Sequence, residues 1–176
     1  MKNVTVLILA IFLLSCQGKA QEKKAAKKSY AVEKSDAEWK SQLPSLSYTV
    51  LRKAATEYAF SGEYNDNKEE GTYLCLACSS PLYDSKYKYD SKSGWPSFDR
   101  GIEGNIEYDS DYNLGYKRTE LKCNTCGGHL GHSFQDGPRE TTGVRHCINS
   151  AALNFKPSKE NEWQKISCSK IRTRMA

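Results

Sequence analysis

Two C-x-x-C pairs, Cys75-Leu76-Ala77-Cys78 and Cys123-Asn124-Thr125-Cys126, constrain this chain more than any other feature. Two residues between thiols let both sulfurs face one point from a tight knuckle. Two such knuckles complete a tetrahedral four-cysteine zinc site with no open position, which is a structural role. Gly127 and Gly128 follow the second pair and help backbone amides turn toward the sulfurs. The stretch between the pairs, residues 79–122, is longer than in a compact zinc ribbon. The site is therefore expected to clip together strands distant in sequence, which reduces the freedom of the unfolded chain. Two other chemistries suit the same residues: disulfides in an oxidising compartment, or a redox-active dithiol.

Compartment bears on that choice. Lys2 precedes an apolar run from Val4 to Leu14, broken only by Thr5. The run is too short for a comfortable membrane span and fits a secretory signal over residues 1–15. It ends in Leu13-Leu14-Ser15-Cys16, which resembles a bacterial lipobox, in which Cys16 is lipidated and becomes the first residue. Residues 16–34 read as a flexible tether, rich in Lys, Ala and Gln and unable to bury enough apolar surface to order itself. The folded body is assigned to 35–157 and a basic tail to 158–176. This organisation predicts a membrane-anchored lipoprotein of the cell envelope, facing the periplasm or the exterior. Residues 1–40 carry a net +4, residues 158–176 carry +3 and residues 41–157 carry −2. The basic excess lies at the ends, so the body offers no nucleic-acid surface.

Ser35-Asp36-Ala37-Glu38 reads as a capping box opening a short helix, which Pro44 ends. A second helix is predicted from Ser47 to Tyr58, with Tyr48, Leu51, Ala55 and Tyr58 on its apolar face. After Gly62 the pattern changes to short strands and turns. Strands are expected at Asn105–Tyr108, Leu114–Cys123 and Ala151–Phe155.

The chemistry-bearing segment is Gly127-Gly128-His129-Leu130-Gly131-His132-Ser133-Phe134-Gln135-Asp136-Gly137-Pro138, followed by Val144-Arg145-His146-Cys147-Ile148-Asn149-Ser150. If 144–149 is a strand, Arg145, Cys147 and Asn149 share one face, and Val144, His146 and Ile148 share the other. A lone strand cysteine is usually a small buried hydrophobe. An apolar core strand, however, would not set Arg and Asn on the face of its buried Cys. A thiol beside a cation, with imidazoles a loop away, has the setting of an activated nucleophile.

Other segments complete a pattern: Thr56-Glu57 with Phe60-Ser61-Gly62, Gly71 through Cys78, Pro81-Leu82, and Gly94-Trp95-Pro96-Ser97-Phe98. Together with the two segments above, they make the chain resemble the B-type peptide-methionine (R)-S-oxide reductases from about residue 36 to 157. The resemblance implies a mainly β fold of two antiparallel sheets with short N-terminal helices, and zinc away from the active site. It implies that Cys147 is the catalytic cysteine, that His129 and His132 are active-site imidazoles, and that Asp136, Arg145 and Asn149 are supporting polar groups. Trp95 and Phe134 would form the aromatic pocket for the sulfoxide methyl. The substrate would be methionine-R-sulfoxide in oxidised proteins or peptides, and the reductant a thioredoxin-like protein.

The residue types suit that reaction. A Cys147 thiolate would attack the sulfoxide sulfur while His129 or His132 protonates the oxygen, leaving a sulfenic acid. One departure stands out. Many members of that family carry a resolving cysteine two residues before the Trp of the Gly-Trp-Pro-Ser-Phe motif, and here Ser93 occupies that place. Cys168 is the remaining thiol. It either attacks the sulfenic acid to form a disulfide or stands idle while external thiols reduce Cys147. Two competing functions are a zinc-stabilised binding module, with an inert Cys147, and a thiol–disulfide oxidoreductase cycling a C-x-x-C pair without zinc.

Overall fold

The structure, a computed structural model, describes residues 28–158. The signal segment, Cys16, Cys168 and nearly all of the basic tail lie outside the described residues. Two short helices, α1 (Asp36–Gln42) and α2 (Ser45–Lys53), precede the strands. The capping box is present: the Ser35 hydroxyl accepts the Glu38 amide, and the Glu38 carboxylate accepts the Ser35 amide at 2.8 Å. Tyr48 donates its hydroxyl to Asp36 at 2.7 Å, tying α2 to α1. Neither helix is long and apolar enough to cross a membrane.

Helix α2 differs from the expected span. It starts at Ser45, directly after Pro44, and stops at Lys53 rather than Tyr58. Ala54 adopts a left-handed conformation (φ 54°) and its N–H returns to the Thr49 carbonyl. A left-handed residue at this position closes a helix and is usually glycine, so an alanine there leaves no signal in the sequence. Tyr48 and Leu51 are buried as the apolar pattern requires, whereas Tyr58, past the break, is 89% exposed.

The strands form two antiparallel sheets. The first has the order β2 (Pro81–Asp84), β1 (Gly71–Cys75), β9 (Leu153–Pro157). The second has the order β3 (Lys88–Tyr89), β4 (Ser97–Phe98), β8 (Arg145–Ile148), β7 (His129–Phe134), β6 (Arg118–Cys123), β5 (Ile106–Asp111). β6 begins at Arg118, later than Leu114, because the hairpin turn, with Gly115 at φ +80°, takes up the residues before it. β9 begins at Leu153, after a 3-10 turn over Ser150–Ala152. The core between the sheets is aromatic: Tyr83 stacks on Phe98 at 4.3 Å, and Tyr73 meets Phe98 edge-on at 5.1 Å. All three are fully buried, each such burial contributing about 1.5–3 kcal/mol.

The two cysteine knuckles are hairpin turns. The first joins β1 to β2 in one sheet, and the second joins β6 to β7 in the other. Their four sulfurs lie within 4.8 Å of one another, so the cluster clips one sheet to the other. Cys75 and Cys126 are 3.8 Å apart at sulfur, and Cys78 and Cys123 are 3.6 Å apart. A disulfide needs about 2.05 Å. A tetrahedral ion with bonds of about 2.3 Å spaces its sulfurs by about 3.8 Å. The spacing is thus that of metal ligands. Hydrogen bonds from Cys126 and the other thiols pull Cys123 down, while Cys123 pushes Cys75 and Cys126 up.

Residues 28–34, the end of the segment read as a tether, lie against the second knuckle. Val32 donates its N–H to the Thr125 carbonyl at 3.0 Å. Lys28 pairs with Glu107 at 2.9 Å. The Tyr30 ring fills the space over Gly127, where an added Cβ would come within 2.4 Å of it.

Candidate active site

The β7–β8 ladder builds the site by placing His132 directly opposite Cys147. Along β8, Arg145 and Cys147 are partly exposed and His146 and Ile148 are buried, which is the alternation read from the sequence. Gly131 lets the two strands meet this closely. A Cβ there would fall 2.0 Å from the Cys147 carbonyl oxygen.

Against the Cys147 sulfur lies a cavity of about 150 Å³, lined by Thr56, Trp95, Arg118, His132, Phe134 and Asn149 among others. An apolar void of about this size accepts a benzene-sized group. Trp95 and Phe134 supply two aromatic walls, as the resemblance implied. Trp95 is fixed by its indole N–H, which donates to the Glu57 carbonyl at 3.2 Å. The Arg145 guanidinium lies 4.5 Å from the Phe134 ring centroid.

His132 and His129 are held by different carboxylates. His132 donates from Nε2 to Asp111 at 2.7 Å, and Asp111 also pairs with Arg118. Backbone donation from Asn113, with the His132 and Arg118 contacts, holds the Asp111 carboxyl down at about 2. Burial lowers His132 below its ordinary value, so its ring is neutral at pH 7. With its Nε2 proton committed to Asp111, the neutral ring leaves Nδ1 as its acceptor. His129 does not line the cavity. Its Nδ1 donates to Glu120 at 2.6 Å and its ring sits 5.3 Å from that of His132, with Nε2 buried and unpartnered.

The supporting polar residues have partners of their own. Arg145 is clamped by Asp136 through two hydrogen bonds of 2.8 Å. Arg145 pulls the Cys147 thiol down, as expected, but burial outweighs it and the thiol stays above its ordinary value. Asn149 is buried with its amide spent on backbone: Oδ1 accepts the Glu57 N–H at 3.0 Å, and Nδ2 donates to the Leu130 carbonyl at 2.9 Å. Ser93, in the place of a resolving cysteine, has its hydroxyl 3.9 Å from the Cys147 sulfur. His146 faces away, between the hydroxyls of Tyr83 and Tyr108 at 3.3 Å each.

Four residues of the site were not singled out as such from the sequence: Asp111, Arg118, Glu120 and Glu57. The buried Glu57 carboxylate accepts the N–H groups of Ser150 and Ala151 at 2.6 and 2.8 Å, fixing the chain just after Asn149. The alternation of Arg118, Glu120 and Lys122 along β6 was the available signal, but such charge usually marks a solvated face.

Among the described residues, one partly exposed thiol beside an aromatic cavity, an imidazole tied to a carboxylate, and a separate four-cysteine clip are the features of a thiol-dependent enzyme. A family model described as the SelR domain matches residues 43–157, and the chain belongs to that family. It is 50% identical over 136 residues to a "Peptide methionine sulfoxide reductase MsrB" of Burkholderia lata, covering 77% of this chain and 95% of that protein. The protein of the same name from Burkholderia cenocepacia is 49% identical over 136 residues, with the same coverage. A crystal structure of the Mis18 "Yippee-like" domain aligns over 52% of this chain and 100% of its own, at a TM-score of 0.43 and 13% identity.

Proposed function

We propose that this chain reduces methionine-R-sulfoxide in proteins and peptides to methionine, with Cys147 as nucleophile. The pairing of His132 with Cys147 beside the aromatic cavity carries this reading. Trp95 and Phe134 hold the methyl and sulfur, since sulfur–aromatic contacts are favourable. The Cys147 proton passes to Nδ1 of His132 and on to the sulfoxide oxygen, and Asp111 stabilises the imidazolium formed between. The thiolate sulfur attacks the sulfoxide sulfur. As the S–S bond so formed breaks, the protonated oxygen passes from the substrate sulfur to the Cys147 sulfur, so that methionine leaves and Cys147 becomes a sulfenic acid. Two further thiol groups then return it to the thiol, forming one disulfide and one water.

The Cys75, Cys78, Cys123 and Cys126 cluster would hold a structural Zn²⁺, which would supply no step of the reaction. Residues 1–15 act as a lipoprotein signal, with Cys16 lipidated and the domain held at the cell envelope. That part rests on the lipobox-like sequence alone, and fatty-acid labelling that depends on Cys16 tests it. Cys168 is the candidate intramolecular thiol, and a thioredoxin-like protein the external one.

The decisive experiment supplies the full chain with racemic peptidyl methionine sulfoxide and dithiothreitol, beside Cys147→Ser, and resolves the epimers by chiral chromatography. Loss of the R epimer alone, absent in the variant, is the expected outcome. No turnover by folded, metal-loaded protein would return Cys147 to a structural thiol.

A further inference from the structure

Residues 28–32 run over the outside of the second cysteine knuckle and meet all four residues that flank Cys123 and Cys126. Lys28 donates to the Asn124 side chain at 2.9 Å and pairs with Glu107 of β5 at 2.9 Å. The Tyr30 ring covers Gly127, and its centroid lies 6.0 Å from the Lys122 ammonium. Val32 donates its N–H to the Thr125 carbonyl at 3.0 Å and packs against the core. Cys123 and Cys126, beneath this segment, are buried, whereas Cys78 in the first knuckle is partly exposed. The segment precedes residues 43–157, over which the family model matches, so these contacts belong to this chain and not to that pattern.

The contacts bear on the metal because a chelator takes an ion from four thiolates one ligand at a time. A sulfur leaves only as its turn swings away from the other three. The second knuckle is a tight turn, closed by the Gly127 N–H on the Cys123 carbonyl at 2.8 Å. Swinging it outward would part Lys28 from Asn124, Val32 from Thr125 and Tyr30 from Gly127. Each of these contacts adds to the cost of the motion.

We propose that residues 28–32 are a strap that holds the second knuckle closed and so sets how fast the cysteine cluster gives up its metal. The inference rests on the reading of Cys75, Cys78, Cys123 and Cys126 as ligands of a structural Zn²⁺. The coupling runs both ways: whatever the strap adds to retention of the metal, the bound metal returns to docking of the strap. The chain entering the folded body from its N-terminal side is thereby fastened at the clip between the two sheets.

The test loads the full chain with zinc and follows transfer of the ion to excess 4-(2-pyridylazo)resorcinol by absorbance, in wild type, Tyr30→Ala and Val32→Pro. Tyr30→Ala removes the ring over Gly127, and Val32→Pro removes the N–H donated to Thr125. Each should release zinc faster on the order of tenfold, the scale of one lost contact. Phe155→Ala controls for stability alone. It takes a core-packed ring from the first sheet, where Phe155 meets Tyr73 at 4.8 Å. It should lower the melting temperature more than either strap variant, yet release zinc at close to the wild-type rate. Release at the wild-type rate in both strap variants, or an acceleration in Phe155→Ala equal to theirs, overturns the strap and leaves the metal reading standing. A full chain that takes up no zinc by elemental analysis overturns the metal reading and the strap with it.

Discussion

Cysteine does two opposite jobs in this molecule. At the knuckles, four sulfurs crowd within 4.8 Å, three of them buried, and join the turns of two sheets. At β8, a single sulfur stands mid-strand beside a cavity, with an imidazole across the ladder. The first arrangement gains from mutual proximity, since several thiolates can share one cation. The second depends on open space beside one sulfur, since a substrate must be able to reach it. Number of neighbours separates a structural sulfur from a reacting one more sharply than burial does.

The largest effect should come from breaking the crowded site. Binding of structural zinc is worth about 10–16 kcal/mol in small domains, which matches or exceeds the usual 5–15 kcal/mol of net folding stability. Cys123→Ser should therefore lose its metal by elemental analysis and show no cooperative melt, whereas Cys147→Ser should keep both, with turnover abolished. A Cys147→Ser variant that fails to fold would end the division of labour.

The next effect concerns the acid–base pair. Asp111→Asn removes the carboxylate that orients His132, and kcat should fall on the order of 10²- to 10⁴-fold with the melting temperature shifted far less than in Cys123→Ser. A smaller effect is expected from pH. Burial holds His146 at about 4, below the 6.5 of a free imidazole. The unfolded chain binds this proton first, so stability is complete above about pH 6.5 and is lost as pH falls toward 4, by about 3 kcal/mol in all at about 1.4 kcal/mol per unit. Denaturation by urea at pH 7 and pH 4, compared with the same pair for His146→Phe, measures the share owed to this ring. Smallest of all, Arg145→Met should move the rising limb of kcat/KM against pH to higher pH, because Arg145 is the group that partly offsets burial at Cys147. A limb that stays in place would remove Arg145 from the electrostatics of the thiol.

What could be read in advance divides along a physical line. The knuckles, the Ser35 cap, and the alternation of Arg145 and Cys147 against His146 and Ile148 are local, set by spacings of two to four residues. The family resemblance extended this to His129, His132, Trp95 and Phe134. The partners of those groups arrive from far along the chain. Asp111 reaches His132 across 21 residues and Glu57 reaches Ser150 across 93, through strand registers that no local pattern encodes. Ala54 is the other kind of omission, a residue in a glycine's conformation that only the packed chain enforces.

Gly131 has a consequence beyond packing. The gap between thiol and imidazole is gauged by an atom that is missing, since even one methyl at Gly131 would collide with the Cys147 carbonyl. Such a gauge cannot be adjusted gradually. Every substitution there widens it, so a neighbouring mutation has little power to compensate.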